Sequence, residues 1–172
     1  MNNAEGHGGS ASIAISDYWW YFARADLLEA ALRSHVEGAG LALDLGSADG
    51  PSAAWFRESA QRTVSLDIDP RGLGSDGVCG SALALPFEDA AFDVAVVPMP
   101  ATVESLGAAL ADAWRVIRTG GRAMVVAAAG VPESAGIIAT LGHAGFRAAR
   151  LLGEREGLAF YESSRPANRN PG

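Results

Sequence analysis

The sequence predicts an α/β fold, in which a doubly wound sheet of about seven strands carries helices on both faces. Short apolar runs typical of buried strands alternate with amphipathic segments along the chain. The first of these runs, Leu41–Asp44, ends in an acid and is followed by a glycine-rich turn and a helix start. The last two runs are separated only by a short polar turn, which predicts a closing hairpin.

Length and composition indicate one globular domain. The chain has 172 residues, of which 49% are hydrophobic and 19% charged. No apolar run approaches the roughly 20 residues that span a bilayer. The polar segment Met1–Ser10 lacks a secretory pattern, so a cytoplasmic protein is expected. We predict a disordered leader at 1–14, a single domain at 15–164 and a disordered tail at 165–172.

The charge balance argues against a nucleic-acid partner. The formal net charge is −7, and every basic residue other than histidine is arginine. Binding to a phosphate backbone depends on clustered cations, which such a chain does not favour. The single cysteine, Cys79, excludes an internal disulfide, and the three histidines show no ligand spacing. No metal site is predicted.

The turn after the first strand is of the kind that holds a nucleotide. A dinucleotide fingerprint requires Gly-x-Gly-x-x-Gly, and here Gly46, Ala48 and Pro51 occupy those places. Only the first glycine matches, which disfavours a dinucleotide-dependent oxidoreductase. The tight turn and the helix that starts at Pro51 are still suited to a nucleotide-like ligand.

A second acid follows the second strand, Thr63–Asp67. Asp67 lies 23 residues after Asp44, close to the spacing at which nucleotide-binding α/β folds place a ribose-binding carboxylate. Such a carboxylate can accept hydrogen bonds from both ribose hydroxyls. The alternative is a surface acid in the turn Asp67–Pro70. Asp69 is the second candidate, and position favours Asp67.

The remaining elements follow in order. A helix is expected from Ser16 or Asp17 to His35, and its aromatic start, Tyr18–Phe22, either packs on the sheet edge or roofs a pocket. Arg24 either approaches a ligand carboxylate or is a solvated charge. The other predicted elements are a helix at Pro51–Ala60, strands at Val78–Cys79 and Ala91–Val97, a helix from Thr102 to Ile117, a turn at Arg118–Arg122, a strand at Ala123–Ala128, a helix at Glu133–Gly142 and strands at Phe146–Leu152 and Leu158–Ser163.

Several motifs together resemble the class I S-adenosylmethionine (SAM)-dependent methyltransferases. They are Asp-x-Gly-x-x-x-Gly at Asp44–Gly50, Gly-x-Ala-x-x-Leu-Pro-Phe at Gly80–Phe87, and Arg-Val-Ile-Arg-x-Gly-Gly-Arg at Arg115–Arg122. The opening Trp-Trp-Tyr-x-x-Arg-Ala is similar to that of a group of small bacterial methyltransferases. The resemblance spans about Ser16 to Ser164. It implies a Rossmann-like sheet of order 3-2-1-4-5-7-6 with the last strand antiparallel, and SAM as the cofactor.

The resemblance also implies a set of cofactor contacts. Asp44 would orient the loop and reach the amino group of the methionine part, while the turn after Gly46 wraps that end. Ser81 stands where the family usually has an acid that binds the adenine amine, so this contact is expected to be weaker. The implied cofactor-binding residues are Asp44, Gly46, Ser47, Ala48, Asp67, Ile68, Ser81, Ala82 and Pro98.

No catalytic residue is assigned. Candidates near the expected mouth of the site are Tyr18, Tyr21, Glu104 and His143. Pro98-Met99-Pro100 lacks the acid or amide and the aromatic residue of enzymes that methylate amino groups of bases, so that activity is not expected.

The short connection after the fifth predicted strand indicates a shallow, open acceptor pocket. The N-terminal helix, a second copy in a homodimer or a partner protein would then close it. The sequence predicts methyl transfer to a small-molecule acceptor, such as a natural product or a carrier-held group. The alternative is a methyltransferase-like protein that has lost methyl transfer and serves as a partner subunit or a non-methylating cyclase.

Overall fold

The computed structural model describes residues 19–46, 51–70, 73–74, 77–98, 103–129 and 134–167. The predicted leader, 1–14, and residues 168–172 of the predicted tail lie outside this part of the chain. The elements are α1 (Trp19–Val36), β1 (Leu41–Leu45), α2 (Pro51–Ser59), β2 (Arg62–Asp67), β3 (Gly77–Cys79), β4 (Phe92–Pro98), α3 (Val103–Val116), β5 (Ile117–Ala128), α4 (Ser134–His143), β6 (Arg147–Arg155) and β7 (Leu158–Ser164).

The strands form one seven-stranded sheet in the order β3-β2-β1-β4-β5-β7-β6. Strands β1 to β5 pair in parallel, whereas β7 runs antiparallel to both β5 and β6. The predicted Rossmann-like order and the antiparallel last strand are confirmed. Parallel neighbours are joined by crossover helices, which lie on both sides of the sheet. Both faces of the parallel strands are therefore covered.

The helices cover both faces as predicted. Side chains of one strand alternate between the faces, so Leu43 packs in the layer of α3 and α4 while its neighbour Ala42 packs against α1 and α2. The layer on the α1 and α2 side includes Leu28, Leu32, Val36, Trp55, Phe56, Val94, Val96, Met124 and Phe160. The other layer includes Leu45, Val97, Leu106, Leu110, Val125, Ile137, Leu141 and Tyr161.

The segment Arg118–Arg122 differs from the expected turn, because it belongs to β5. That strand begins at Ile117, directly after α3. Gly120 adopts a φ of 77°, and its N–H donates to the carbonyl of Arg165. The N–H of Arg165 donates in turn to the carbonyl of Gly121. Pairing with the chain beyond β7 therefore draws the glycines into the sheet.

Arg165, the first residue of the predicted tail, is fixed at the end of α3. Its guanidinium carbon lies 3.8 Å from the centroid of the Trp114 ring. Its Nη1 donates to the carbonyl oxygens of Trp114, at 2.9 Å, and of Arg115 and Ile117. A cation at these carbonyls caps the helix, and stacking on an aromatic face adds to the attraction.

A buried carboxylate, Glu162, links four elements on the α1 side of the sheet. The side chain of Glu162 on β7 is 10% exposed. It accepts hydrogen bonds from Arg150 on β6, at 2.7 Å, and from His35 on α1, at 2.9 Å. Arg122 on β5 lies 3.5 Å away. Burial raises the pKa of Glu162, but the hydrogen bonds from Arg150 and His35 outweigh burial and hold the pKa below its usual value.

Replacing Glu162 with glutamine tests this network. At pH 7 we expect Glu162→Gln to lower the free energy of unfolding by about 2 kcal/mol, the scale of hydrogen bonds to a charged group. Because folding lowers the pKa of Glu162, its contribution is present above the unfolded-state pKa and is lost as the pH falls through the folded-state pKa. The difference between wild type and variant should therefore shrink below about pH 4.5.

Urea unfolding at pH 7 and near pH 3.5 measures the effect. The control is Glu154→Gln, which changes an exposed carboxylate on β6 and should leave the free energy of unfolding within about 0.5 kcal/mol. An equal loss at both pH values for Glu162→Gln would contradict the assignment.

Candidate functional site

The carboxyl ends of β1, β2, β3 and β4 lie side by side at one edge of the sheet. Leu45 on β1 is in register with Leu66 on β2, and Asp67 is in register with Cys79 on β3. Open α/β sheets place their ligands at this edge. Gly46, Asp67 and Pro98 all lie there, which is where the sequence predicts them.

Gly46 makes the turn out of β1 and lies close to β4. Its φ is 70°, in the left-handed region that favours glycine. Its N–H donates to the carbonyl of Leu66 at 2.8 Å. A Cβ at this position would lie 3.1 Å from Cγ of Pro98. The structure thus brings Gly46 and Pro98 together, two of the predicted site residues.

Asp67 is more exposed than the two other acids at this edge, Asp44 and Asp69. Asp44 is 7% exposed inside β1, whereas Asp67 at the end of β2 is half-buried. Asp67 Oδ1 accepts a hydrogen bond of 2.8 Å from the N–H of Asp69, which orients its carboxylate. Asp69 itself is only 9% exposed, so Asp67 is the more accessible of the two candidates.

Two large apolar side chains are exposed at the same edge of the sheet. Ile68, directly after β2, is 69% exposed, and Leu83, four residues after β3, is 50% exposed. Sequence reasoning included Ile68 and missed Leu83. The available signal was an apolar residue in the connection between two predicted strands. Exposed apolar side chains at a ligand edge can pack against a flat ring.

The turn 81–84 is closed by its own hydrogen bonds. The N–H of Leu83 donates to Ser81 Oγ at 3.2 Å, and the N–H of Ala84 donates to the carbonyl of Ser81 at 3.1 Å. The turn is joined to β2 because the N–H of Gly80 donates to the carbonyl of Asp67 at 2.9 Å. Ser81 and Ala82 therefore lie at the same edge as Asp67.

Comparison with known proteins finds a similarity to methyltransferases. The family model described as "Methyltransferase domain" matches residues 43–125, which include all of the turns just described. Residues 43–125 are therefore similar to a methyltransferase domain. No curated protein matches its sequence. The opening Trp-Trp-Tyr motif lies outside the matched residues.

Several solved structures share the fold of this chain. The N-methyltransferase NodS from Bradyrhizobium japonicum WM9, in complex with S-adenosyl-L-homocysteine, has a TM-score of 0.69 at 16% identity, over 90% of this chain and 95% of that one. The 1,6-didemethyltoxoflavin-N1-methyltransferase of Burkholderia thailandensis has a TM-score of 0.67 at 17% identity, over 88% and 82%. The [4+2]-cyclase SpnF has a TM-score of 0.62 at 16% identity, over 86% and 81%.

The domain family points to SAM, and the side chains at this edge fit its parts. SAM offers an ammonium, a ribose diol and a flat adenine. Asp44 can pair with an ammonium, and Asp67 can accept from hydroxyls. Ile68 and Leu83 offer apolar surface for a ring, and Ser81 offers one neutral oxygen.

Some predicted residues lie outside the described part of the chain. These include Ser47 and Ala48 in the turn after β1, and Tyr18 before α1. Tyr21 and Arg24 lie in α1 and Glu104 in α3, but their side-chain positions also fall outside that part. Their roles stay predictions, as does the choice between packing and lid for the aromatic start of α1.

His143 does not lie at the site, contrary to the hypothesis that placed it near the mouth. Helix α4 begins at Ser134, shortly after the carboxyl end of β5, and runs back to His143. Gly145, two residues later, lies against Trp114 near the end of α3, at the opposite edge of the sheet. The exposed His143 is therefore too far from the candidate site to act there as a base.

Within the described residues, no helix is long and apolar enough to cross a membrane. The same residues contain no group of three or more His, Cys, Asp or Glu side chains that could hold a metal ion.

A substitution at Gly46 tests the turn itself. We expect Gly46→Ala to lower the free energy of unfolding by about 1–2 kcal/mol, since an L side chain at this φ is strained. Gly136→Ala is the matched control, because a Cβ at that position of α4 meets open space. It should raise stability by about 0.5–1 kcal/mol. Urea unfolding measures both, and unchanged stability of Gly46→Ala would contradict the described turn.

Proposed function

We propose that the protein is a SAM-dependent methyltransferase acting on a small-molecule acceptor. The observation that carries the proposal is the meeting of Asp44, Gly46, Asp67 and the turn 81–84 at the carboxyl edge of a methyltransferase-type sheet. The expected location remains the cytoplasm.

Each side chain has a role in this proposal. The Asp67 carboxylate accepts hydrogen bonds from the ribose hydroxyls, and Asp44 attracts the amino group of the methionine part. Ile68 and Leu83 pack against the adenine, while Ser81 Oγ and the N–H of Ala82 contact its polar edge. Bound SAM supplies an electrophilic methyl group. The protein then has mainly to hold the acceptor in line with the bond that breaks.

The acceptor is proposed as a small molecule for two reasons. The acidic chain, with a net charge of −7, is poorly suited to nucleic acid. The toxoflavin enzyme of similar fold was solved with 1,6-didemethyltoxoflavin bound. Strand β5 ends at Ala128 and α4 begins at Ser134, which leaves a short connection for covering an acceptor. An open pocket of this kind suits a natural product or a carrier-held group, or needs a second copy or a partner protein to close it.

A second candidate function is a methyltransferase-like protein that no longer transfers methyl groups. SpnF, a [4+2]-cyclase, has a similar fold. Ser81 in place of an acid favours this alternative, because a neutral oxygen already bonded to Leu83 holds adenine less strongly than a carboxylate. The two candidates differ in whether S-adenosylhomocysteine is released when SAM is incubated with the protein and a mixture of small-molecule acceptors.

Calorimetry tests cofactor binding. We expect SAM and S-adenosylhomocysteine to bind with micromolar dissociation constants. Asp67→Ala should raise both by about 10- to 150-fold, since hydrogen bonds to a charged group contribute about 1.5–3 kcal/mol. Glu58→Ala removes an exposed carboxylate at the far end of α2 and should leave both constants unchanged. Absence of binding at millimolar ligand would refute the proposal.

The single cysteine reports where the ligand lies. Cys79 is exposed, and its Sγ lies 3.5 Å from the carbonyl oxygen of Ile68. We expect saturating S-adenosylhomocysteine to slow labelling of Cys79 by an aromatic disulfide reagent at least severalfold. Asp67→Ala should need a correspondingly higher ligand concentration for the same protection. Binding without protection would place the cofactor away from Ile68 and contradict the site.

A further inference from the structure

The connection from β3 to β4 is held in place by two side chains of another element. Its described residues, 80–91, contain no helix, so no repeating backbone hydrogen bonds support it. Asp112 and Arg115, both near the end of α3, lie against it instead. Asp112 Oδ2 accepts a hydrogen bond from the N–H of Leu85.

Arg115 makes most of the contacts. It donates to the carbonyl of Leu85 at 2.9 Å, to the carbonyl of Phe87 at 2.7 Å and to Asp89 Oδ1 at 2.9 Å. Its Nε donates to Asp112 Oδ1 at 2.7 Å. A guanidinium suits this task because its planar fork presents several donors in fixed directions.

These contacts fix one end of the turn that carries Ser81, Ala82 and Leu83. The other end is fixed by the hydrogen bond from Gly80 to Asp67. Between the two anchors, the turn 81–84 is bonded mainly to itself. Leu85 is 5% exposed, so the anchor on the α3 side also sets the depth at which the turn enters the core.

We propose that Arg115 and Asp112 are positioning residues for the adenine half of the cofactor. They hold the turn 81–84 so that Ser81, Ala82 and Leu83 face the same ligand as Asp67. This inference rests on the proposed function. It extends the site to side chains that touch no part of the ligand.

Arg115 and Asp112 stabilise the connection between β3 and β4 rather than the fold as a whole. The side chain of Arg115 is 34% exposed, and its partners are loop carbonyls and two carboxylates. The core between α3 and the sheet is made by apolar residues such as Leu106, Leu110 and Ile117. Loss of Arg115 therefore loosens the connection while the helix and the sheet stay folded.

Hydrogen exchange of the backbone amides tests, without any ligand, whether Arg115 holds the connection in place. In Arg115→Gln, amides of residues 81–90 should exchange at least severalfold faster than in wild type, while the amides of β1 and β4 keep their protection. Unchanged exchange of 81–90 would overturn the inference. Arg118→Gln is the matched control, because Arg118 pairs with Asp93 at the opposite edge and does not contact this connection.

Ligand affinity measures the positioning role. The measurements are made at a temperature where every variant is folded. Arg115→Gln should raise the dissociation constant of S-adenosylhomocysteine by about tenfold, the equivalent of one good hydrogen bond. The substitution should raise the dissociation constant of adenosine by the same factor, because both ligands use the adenine subsite. Asp112→Asn should act in the same direction, Arg115→Lys should restore part of the affinity, and Arg118→Gln should leave it unchanged.

The outcomes separate this inference from the proposed function. If wild type binds neither ligand, the proposed function fails, although faster exchange in Arg115→Gln would still establish the anchor. If wild type binds and Arg115→Gln exchanges faster with unchanged affinity, the positioning role is wrong. If Arg115→Gln binds S-adenosylhomocysteine more weakly but adenosine as tightly as wild type, the positioning role is also wrong.

Discussion

The structure depends on one constraint, which is that its parallel strands are buried on both faces. Buried strands must be apolar along their length and must be covered by helices on each side. Because β1 to β4 run the same way, their ends meet at one edge, where polar groups and turns become possible. The carbonyl of Leu66 accepts from Gly46 at this edge, and the carbonyl of Asp67 accepts from Gly80. The backbone of β2 thus fixes two turns of the candidate site.

The same constraint explains how much could be predicted from sequence. Apolar runs ending in Asp44 and Asp67 identify strands and their ligand-facing ends, since both signals are local. The prediction of a turn at Arg118–Arg122 was wrong, because pairing with Arg165, more than 40 residues away, decides the conformation of this segment. The placement of His143 was wrong because sequence position on a helix does not tell which edge of the sheet its end reaches. The Arg115 contacts could not be predicted, because they depend on the fold of a connection without periodicity.

The acidic chain uses its arginines at the junctions between elements. Arg115 joins α3 to the connection before β4, and Arg165 caps the end of α3. Arg150 pairs with the buried carboxylate of Glu162. In each case a planar group with several donors meets carbonyl or carboxylate oxygens that a helix or strand end leaves available. These three arginines therefore hold neighbouring elements of the fold together.

The side chain of Ser81, which stands where the resemblance implies an acid, is used within its own turn. A serine closes its own turn by accepting the N–H of Leu83, as short polar side chains do in turns. The turn leaves Leu83 half-exposed, at the same edge of the sheet as the exposed Ile68. Recognition of adenine at such a site would depend on apolar surface and backbone geometry more than on charge. A site of that kind is sensitive to the position of its turn, which is why the anchor on α3 matters more here than it would beside a carboxylate that binds adenine directly.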